Sequence, residues 1–377
     1  MGADLETGWR ELVYGRHPAP WAPAARAGLR VLGALYGAGM RSYRLQYDLG
    51  LRKAEQMPCA ICSVGNLTVG GTGKTTTVRW VARRLLEWRT RPAILSYGYR
   101  AGGRGARIPG IVAGPEGVRL SAQEGGDEPQ LLARSLPGVP VLIGRKRVLS
   151  ARLAHAEFGA TVCVMDDGFQ YWKMRKDLEL LLLDAQLPFG PGGVFPGGTL
   201  REPADAVRRA DAVLITHASW ADRRSREKLM AWIAHRAAHG GAPIRVAEAR
   251  HVPICLRDLD GGERLPLEAL RDGRWLALSS LGQPEAFERT LSELGARTAP
   301  GGRFPDHHPY TADDLCRVRA QVDREGLAGV VTTEKDAVKL DPTWLAGARC
   351  RVLEIDLEFL SGQLELETLL RERLAQS

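Results

Sequence analysis

The sequence predicts an α/β protein with a mostly parallel sheet flanked by helices, followed by a second, smaller α/β unit. Short, continuous apolar runs alternate with helical patterns, as expected for strands buried on both faces of a parallel sheet. A glycine-rich loop separates the first of these runs from a helical pattern. The chain has 377 residues, which suits two domains of roughly 100–200 residues each.

The elements follow in order. Residues 1–57 are helical in pattern, carry flanking arginines and end before Pro58. Apolar runs then predict strands at 59–64, 93–96, 141–144, 161–165, 178–184 and 212–216, with helices over Thr76–Glu87 and Val148–Phe158 between them.

The pattern changes after Arg250. Residues 251–268 predict a β-hairpin around Gly261-Gly262. The runs WLALSS, GVVTT and CRVLEI, with helices between them, predict the second unit. We therefore expect four segments: an N-terminal helical, membrane-associating part at 1–57, the first α/β domain at 58–250, a hinge hairpin at 251–270 and a C-terminal α/β domain at 271–377.

Charge and cysteine content bound the function. Lys plus Arg number 52 and Asp plus Glu number 44, giving a net charge of +8 and a pI near 9.3. This excess of positive charge indicates either anionic partners or an arginine-rich surface exposed to solvent. No aromatic-interleaved basic motif is present, so we expect no nucleic-acid partner.

Cys59 and Cys62 form a C-x-x-C without a second pair, which predicts buried thiols; a redox or metal role is the alternative.

The N-terminal segment offers two interpretations. The first 25 residues lack the apolar core of a signal peptide, and no run reaches the ~20 apolar residues of a membrane span. Ala27–Met40 contains Arg30 and is flanked by Arg26, Arg41 and Arg44. It is either a basic amphipathic helix that lies on a membrane or a helix packed on the domain.

Residues 65–75, GNLTVGGTGKT, follow a predicted strand and precede a predicted helix. Backbone N–H groups in such a loop cradle phosphate oxygens, Lys74 reaches the β/γ-phosphates, and the Thr75 hydroxyl ligates Mg²⁺. Thr68 stands where the motif usually has glycine, so the loop is a variant. The alternative is a tight strand–helix turn. The predicted cradle for ATP consists of Gly70, Gly71, Thr72, Gly73, Lys74 and Thr75.

Three further segments carry candidate chemistry. The run VCVM at 162–165 ends in Asp166 and Asp167, as in a strand that presents carboxylates to Mg²⁺. Asp127 and Glu128 precede a helix and are either capping residues or a general base with its neighbour. The motif FPDHHPY at 304–310 contains adjacent histidines, which favour a carboxylate-polarised histidine over a metal site.

Taken together, the strings VGNLTVGGTGKT, GGDEP, DDGFQ, GTLREP, FPDHHPYT and TTEKDAVKL resemble the tetraacyldisaccharide 4′-kinase family, a group of P-loop NTPase-like enzymes. They span residues 64 to 340. The resemblance implies transfer of the γ-phosphate of ATP to the 4′-hydroxyl of a tetraacylated glucosamine disaccharide 1-phosphate, forming lipid IVA. The alternatives are a P-loop kinase of another soluble or lipid acceptor and a regulatory P-loop NTPase.

The resemblance also implies roles and partners. Asp127 is the expected base, paired with one of the two adjacent histidines, and position in the motif favours His307 over His308. Arg201 stabilises the transferring charge. The partners are the glycolipid and an anionic membrane, on the cytoplasmic face of the inner membrane, with no obligatory protein partner. The expected catalytic residues are Asp127, His307, Lys74 and Arg201, and the expected Mg²⁺ ligands are Thr75, Glu128, Asp166 and Asp167.

The chain departs from the family pattern at loops expected to face the substrate. Tyr171 replaces the histidine that usually follows DDGFQ, and the usual S-R-G-Y-G becomes SYGYR, which brings in Tyr97 and Arg100. These differences imply either a variant lipid or sequence drift.

Overall fold

The structure, a computed structural model, describes residues 2–98, 109–237, 243–260, 263–282, 284–345 and 347–375. Fourteen strands are found in these ranges. They are β1 (Ala60–Asn66), β2 (Pro92–Ser96), β3 (Gly110–Gly114), β4 (Gly117–Val118), β5 (Val141–Ile143), β6 (Val162–Asp166), β7 (Leu178–Asp184), β8 (Ala212–Thr216), β9 (Arg245–Asp258), β10 (Arg264–Leu265), β11 (Arg274–Leu278), β12 (Arg297–Ala299), β13 (Gly329–Thr333) and β14 (Cys350–Ser361).

The α-helices of the same ranges are α1 (Gly2–Val13), α2 (Ala22–Asp48), α3 (Lys74–Glu87), α4 (Ala122–Gly125), α5 (Asp127–Ser135), α6 (Arg147–Phe158), α7 (Arg223–Ala237), α8 (Pro284–Glu293), α9 (Ala312–Arg324), α10 (Glu334–Ala337) and α11 (Gln363–Leu374).

The strands form one sheet in the order β12-β11-β13-β14-β9-β8-β7-β1-β6-β2-β5-β3-β4, with β10 paired to β9. Along this order, neighbouring strands are parallel from β12 through β11 and β13 to β14. They are parallel again from β9 through β8, β7, β1, β6 and β2 to β5. This confirms the mostly parallel α/β prediction. The antiparallel strands β3 and β4 are absent from the predicted set; they are short and glycine-containing, with little apolar signal.

Apolar residues of β1 alternate between two cores because successive side chains of a strand point to opposite faces. Cys62 and Val64 face a core shared with α3 and α5, while Ile61 faces one shared with α6. The central parallel strands β1, β2, β6 and β8 are buried on both faces, which explains their mostly apolar sequences.

The long strands β9 and β14 pair antiparallel and join the two parallel parts of the sheet. Arg264–Leu265 pairs with Leu256 and Arg257, as a hairpin requires, while its predicted turn, Gly261-Gly262, lies outside the described residues. The helix α11 returns to pack on β9, β1 and β7 of the first part. The four-segment division remains a prediction.

Ion pairs also cross between the two parts. Arg79 of α3 and Glu334 of α10 lie 2.7 Å apart with side chains 5% and 10% exposed. Arg79 also donates to the carbonyl of Ile355 in β14, and Glu334 accepts from the Ile355 N–H. Removing one partner of such a buried pair costs about 3–5 kcal/mol, because the remaining charge is left uncompensated between α3 and α10.

The helix α2 packs through a narrow face and leaves an apolar one in solvent. Gly33 and Gly37, one turn apart, lie directly against Val194. On other faces Val31 is 62% and Leu35 is 65% exposed. No described helix has the length and hydropathy needed to cross a membrane.

The cysteines in the described ranges are free thiols. The sulfur of Cys59 lies 3.5 Å from that of Cys163 in the neighbouring strand, while Cys62 is fully buried on the other face of β1. The two cysteines of the C-x-x-C motif therefore pack in different cores, on opposite faces of the sheet.

Candidate active site

The phosphate loop connects β1 to α3 at the carboxyl edge of the sheet. Gly73 caps α3 with φ = 76°, in the left-handed region that glycine tolerates best. A Cβ at this position would lie 2.4 Å from the ring of His251, so the close approach also requires glycine. The amide of Asn66 donates to the Thr72 hydroxyl over 2.9 Å and ties the two ends of the loop together.

The LREP segment lies along the outer side of this loop. The N–H of Val69 donates to the carbonyl of Thr199, and the N–H of Arg201 donates to that of Leu67. This pairing carries the Arg201 guanidinium to 2.6 Å from Asp167. The structure thus brings the LREP arginine, the phosphate loop and the strand-end aspartates into one cluster.

Asp167 is the anionic centre of that cluster. Its carboxylate lies 3.7 Å from the Lys74 ammonium as well as 2.6 Å from Arg201. Desolvation alone would raise the pKa of Asp167, but these two cations outweigh it and lower the pKa to about 2. Asp167 therefore stays charged and holds both cations beside the phosphate cradle.

Asp166 has a different environment. Its side chain is 2% exposed, and one oxygen accepts from the Ser96 hydroxyl over 3.3 Å. Burial, together with the negative charges of Glu128 and Asp167, raises the pKa of Asp166 to about 7. This crowding of carboxylates favours a cation.

The donor set suits Mg²⁺ bound together with nucleotide phosphates. Asp166 Oδ1 and Asp167 Oδ1 are buried without a hydrogen-bond partner in the described part of the chain. In those ranges no three His, Cys, Asp or Glu side chains converge into a complete metal cage. Mg²⁺ commonly takes only one or two carboxylates and fills its shell with phosphates and water. Asp166 and Asp167 therefore fit such an ion, while Thr75 and Glu128 stay predicted ligands.

The carboxylate–histidine pair is assembled from distant segments. Asp127 and Glu128 form the first turn of α5, which begins after Gly126. His307, with φ = 59°, places Nδ1 3.1 Å from Asp127 Oδ2. His308 faces away, with Nε2 2.8 Å from Asp314. The geometry thus separates the two adjacent histidines, and His307 is the one beside Asp127.

Two lysines of the TEKDAVK segment lie beside this pair, and the sequence analysis assigned them no role. Lys335 Nζ lies 3.2 Å from His307 Nε2. Lys339 Nζ lies 4.0 Å from Asp127 and 2.8 Å from Asp336. In the sequence, only the match of TTEKDAVKL to the family pattern pointed to these lysines. Local sequence patterns do not show which residues this segment contacts.

Two residues that depart from the family pattern, Tyr97 and Tyr171, contact the same arginine. The guanidinium of Arg147 lies 5.5 Å from the Tyr97 ring and 5.4 Å from the Tyr171 ring. Arg147 is 5% exposed, and burial lowers its pKa. The two tyrosines therefore share a contact although they are distant in sequence. Tyr99 and Arg100 lie outside the described residues.

The chain is similar to known proteins over nearly its whole length. The family described as tetraacyldisaccharide-1-P 4′-kinase matches residues 25–375. A tetraacyldisaccharide 4′-kinase of Anaeromyxobacter dehalogenans (strain 2CP-C) is 45% identical over 96% of this chain and 93% of its own. One from Syntrophus aciditrophicus is 40% identical over 83% and 84%. A solved "apo" form LpxK from Aquifex aeolicus in complex with ATP has a TM-score of 0.74 and 28% identity, covering 93% of this chain and 99% of that one.

The parallel sheet around β1, with a phosphate loop and a separate base candidate at one edge, defines the class of protein as a P-loop kinase. Structural likeness to an ATP-bound enzyme over nearly the whole fold supports that class. The chain belongs to the tetraacyldisaccharide-1-phosphate 4′-kinase family, whose match extends from α2 to α11.

Proposed function

We propose that the chain transfers the γ-phosphate of ATP to the 4′-hydroxyl of a tetraacylated glucosamine disaccharide 1-phosphate, forming lipid IVA. The observation that carries the proposal is the pair of Asp127 and His307 at 3.1 Å, on the same sheet edge as the phosphate loop. A hydroxyl acceptor needs such a base, whereas a regulatory switch does not.

One set of residues binds the phosphate donor, ATP, and another acts on the acceptor hydroxyl. The loop from Gly70 to Thr75 cradles the phosphates, and Lys74 meets the β/γ oxygens. Arg201 lies beside Lys74, bridged by Asp167, where it can stabilise charge on the transferring group. Asp127 accepts the hydroxyl proton as the new O–P bond forms and the bond from the γ-phosphorus to ADP breaks.

Mg²⁺ fits the carboxylates described above. Thr75, Glu128, Asp166 and Asp167 would hold it, and when bound it neutralises charge on the phosphate oxygens. The buried Asp166 Oδ1, which has no hydrogen-bond partner in the described part of the chain, supports this assignment.

The acceptor carries four acyl chains, so the reaction takes place at a membrane surface. The exposed apolar residues of α2, Val31, Leu32, Leu35 and Tyr36, suit insertion at the level of the headgroups. The net charge of +8 favours anionic lipid. We propose a peripheral position on the cytoplasmic face of the inner membrane, reached through this helix.

The test is transfer of labelled phosphate from ATP to purified disaccharide 1-phosphate in mixed micelles. We expect a monophosphorylated acceptor to gain a second phosphate and ATP turnover to depend on the acceptor. Lys74→Ala should lower kcat on the order of 100-fold or more, the effect of losing one electrostatic donor. ATP hydrolysis that ignores the lipid would instead favour a regulatory NTPase, and transfer to a soluble sugar alone would favour another acceptor.

A further inference from the structure

The helix α10 brings a lysine onto the far side of the His307 ring. The helix begins directly after β13, with the Thr333 hydroxyl accepting from the Asp336 N–H as its cap. This places Lys335 Nζ 3.2 Å from His307 Nε2 and 3.6 Å from Asp306. The opposite ring nitrogen, Nδ1, is the one that faces Asp127.

The chemistry of the two partners decides where the ring carries its proton. A lysine ammonium has three donors and no acceptor, so the nitrogen facing it accepts a hydrogen bond and carries no proton. The remaining proton of a neutral imidazole then lies on Nδ1, which is 3.1 Å from Asp127 Oδ2. A doubly protonated ring would point a second N–H at the ammonium of Lys335.

We propose that Lys335 is a positioning residue that fixes His307 as the Nδ1–H tautomer. The Nδ1–H group then donates to Asp127 and orients its carboxylate toward the acceptor hydroxyl. The tautomer follows from the contacts alone; its consequence for catalysis rests on the proposed function. The tautomer of a histidine is set by what its other nitrogen bonds to, and here that partner comes from α10.

Asp306 is a second carboxylate that can attract the proton of His307, and Lys335 offsets its negative charge. One of its oxygens lies 3.9 Å from His307 Nε2 and 3.6 Å from Lys335 Nζ. With the ammonium present, the Asp306 carboxylate is paired with a cation. Without it, that carboxylate is free to attract a proton onto Nε2. Removal of Lys335 should therefore move the proton to the wrong side of the ring or add a second one.

The test is NMR of the ring nitrogens in the full chain labelled with ¹⁵N-histidine, with His307→Gln identifying the signal among the eight histidines. In the wild type we expect protonated Nδ1 and unprotonated Nε2. Lys335→Met should shift this population, and Lys335→Arg, which also presents only donors, should keep it. A wild-type ring protonated on Nε2 or on both nitrogens would overturn the proposal, even if Lys335→Met failed to fold. So would a Lys335→Met protein whose tautomer is unchanged.

Activity gives a second readout. Lys335→Met should lower kcat about 10- to 150-fold, the range of one hydrogen bond to a charged group, and leave KM for ATP unchanged. Lys335→Arg should recover most of the rate. Lys228→Met, which removes an exposed lysine of α7, serves as the matched control. Equal losses for Met and Arg at position 335 would contradict the positioning role. If the wild type transferred no phosphate to the lipid but kept the Nδ1–H tautomer, the proposed function would fail and the tautomer assignment would stand.

Discussion

Asp127 and His307 are expected to act as one unit, and alanine substitutions test this directly. His307→Ala removes a donor 3.1 Å from the Asp127 carboxylate. A hydrogen bond to a charged group contributes about 1.5–3 kcal/mol. At about 1.4 kcal/mol per tenfold change, kcat should fall about 10- to 150-fold. Asp127→Ala removes the base itself, a loss on the order of 10²- to 10⁴-fold.

The double substitution distinguishes a unit from two independent residues. Because His307 acts through Asp127, the double variant should lose little more than Asp127→Ala alone. The assay is single-turnover transfer to saturating lipid acceptor, which isolates the phosphoryl transfer from product release. His308→Ala is the control, since His308 belongs to the same loop but faces Asp314. Losses that multiply fully in the double variant would refute the dyad.

Three further predictions concern other parts of the molecule. Gly73→Ala should lower the free energy of unfolding by about 1–3 kcal/mol and weaken ATP binding, because Gly73 has a φ of 76° and an added Cβ would meet the His251 ring; a variant that denatures at the same point as the wild type would contradict this. Replacing Val31 and Leu35 by serine should weaken the affinity for liposomes, measured by flotation, about 10²- to 10⁴-fold, since each exposed side chain contributes about 1.5–3 kcal/mol when it enters an apolar phase; unchanged flotation would assign α2 a structural role alone. The raised pKa of Asp166, about 7, means that the folded state binds this proton more tightly than the unfolded chain. Stability in the absence of nucleotide should therefore fall as pH rises from about 4 to about 7. Asp166→Asn should remove that part of the pH profile, and an identical profile in the variant would show that Asp166 does not titrate there.

Local sequence patterns predicted much of the first sheet. The runs at β1, β6, β7 and β8 are mostly apolar because both faces of each strand are largely buried. The phosphate loop was equally visible, since its glycines, lysine and threonine act within one strand–helix connection. These features are encoded within about ten residues, and they need no knowledge of the rest of the chain.

The site as a whole depended on the tertiary structure. The family resemblance paired Asp127 with one of two adjacent histidines and favoured His307 by position. Only the fold shows that His307 contacts Asp127 while His308 contacts Asp314. It also places Lys335 on the ring from a third segment. Asp127 and His307 are 180 positions apart, and their contact depends on how the antiparallel β9–β14 pair joins the two parallel parts of the sheet. Such a contact depends on the path of the whole chain, whereas periodicity reports only which face of an element is buried.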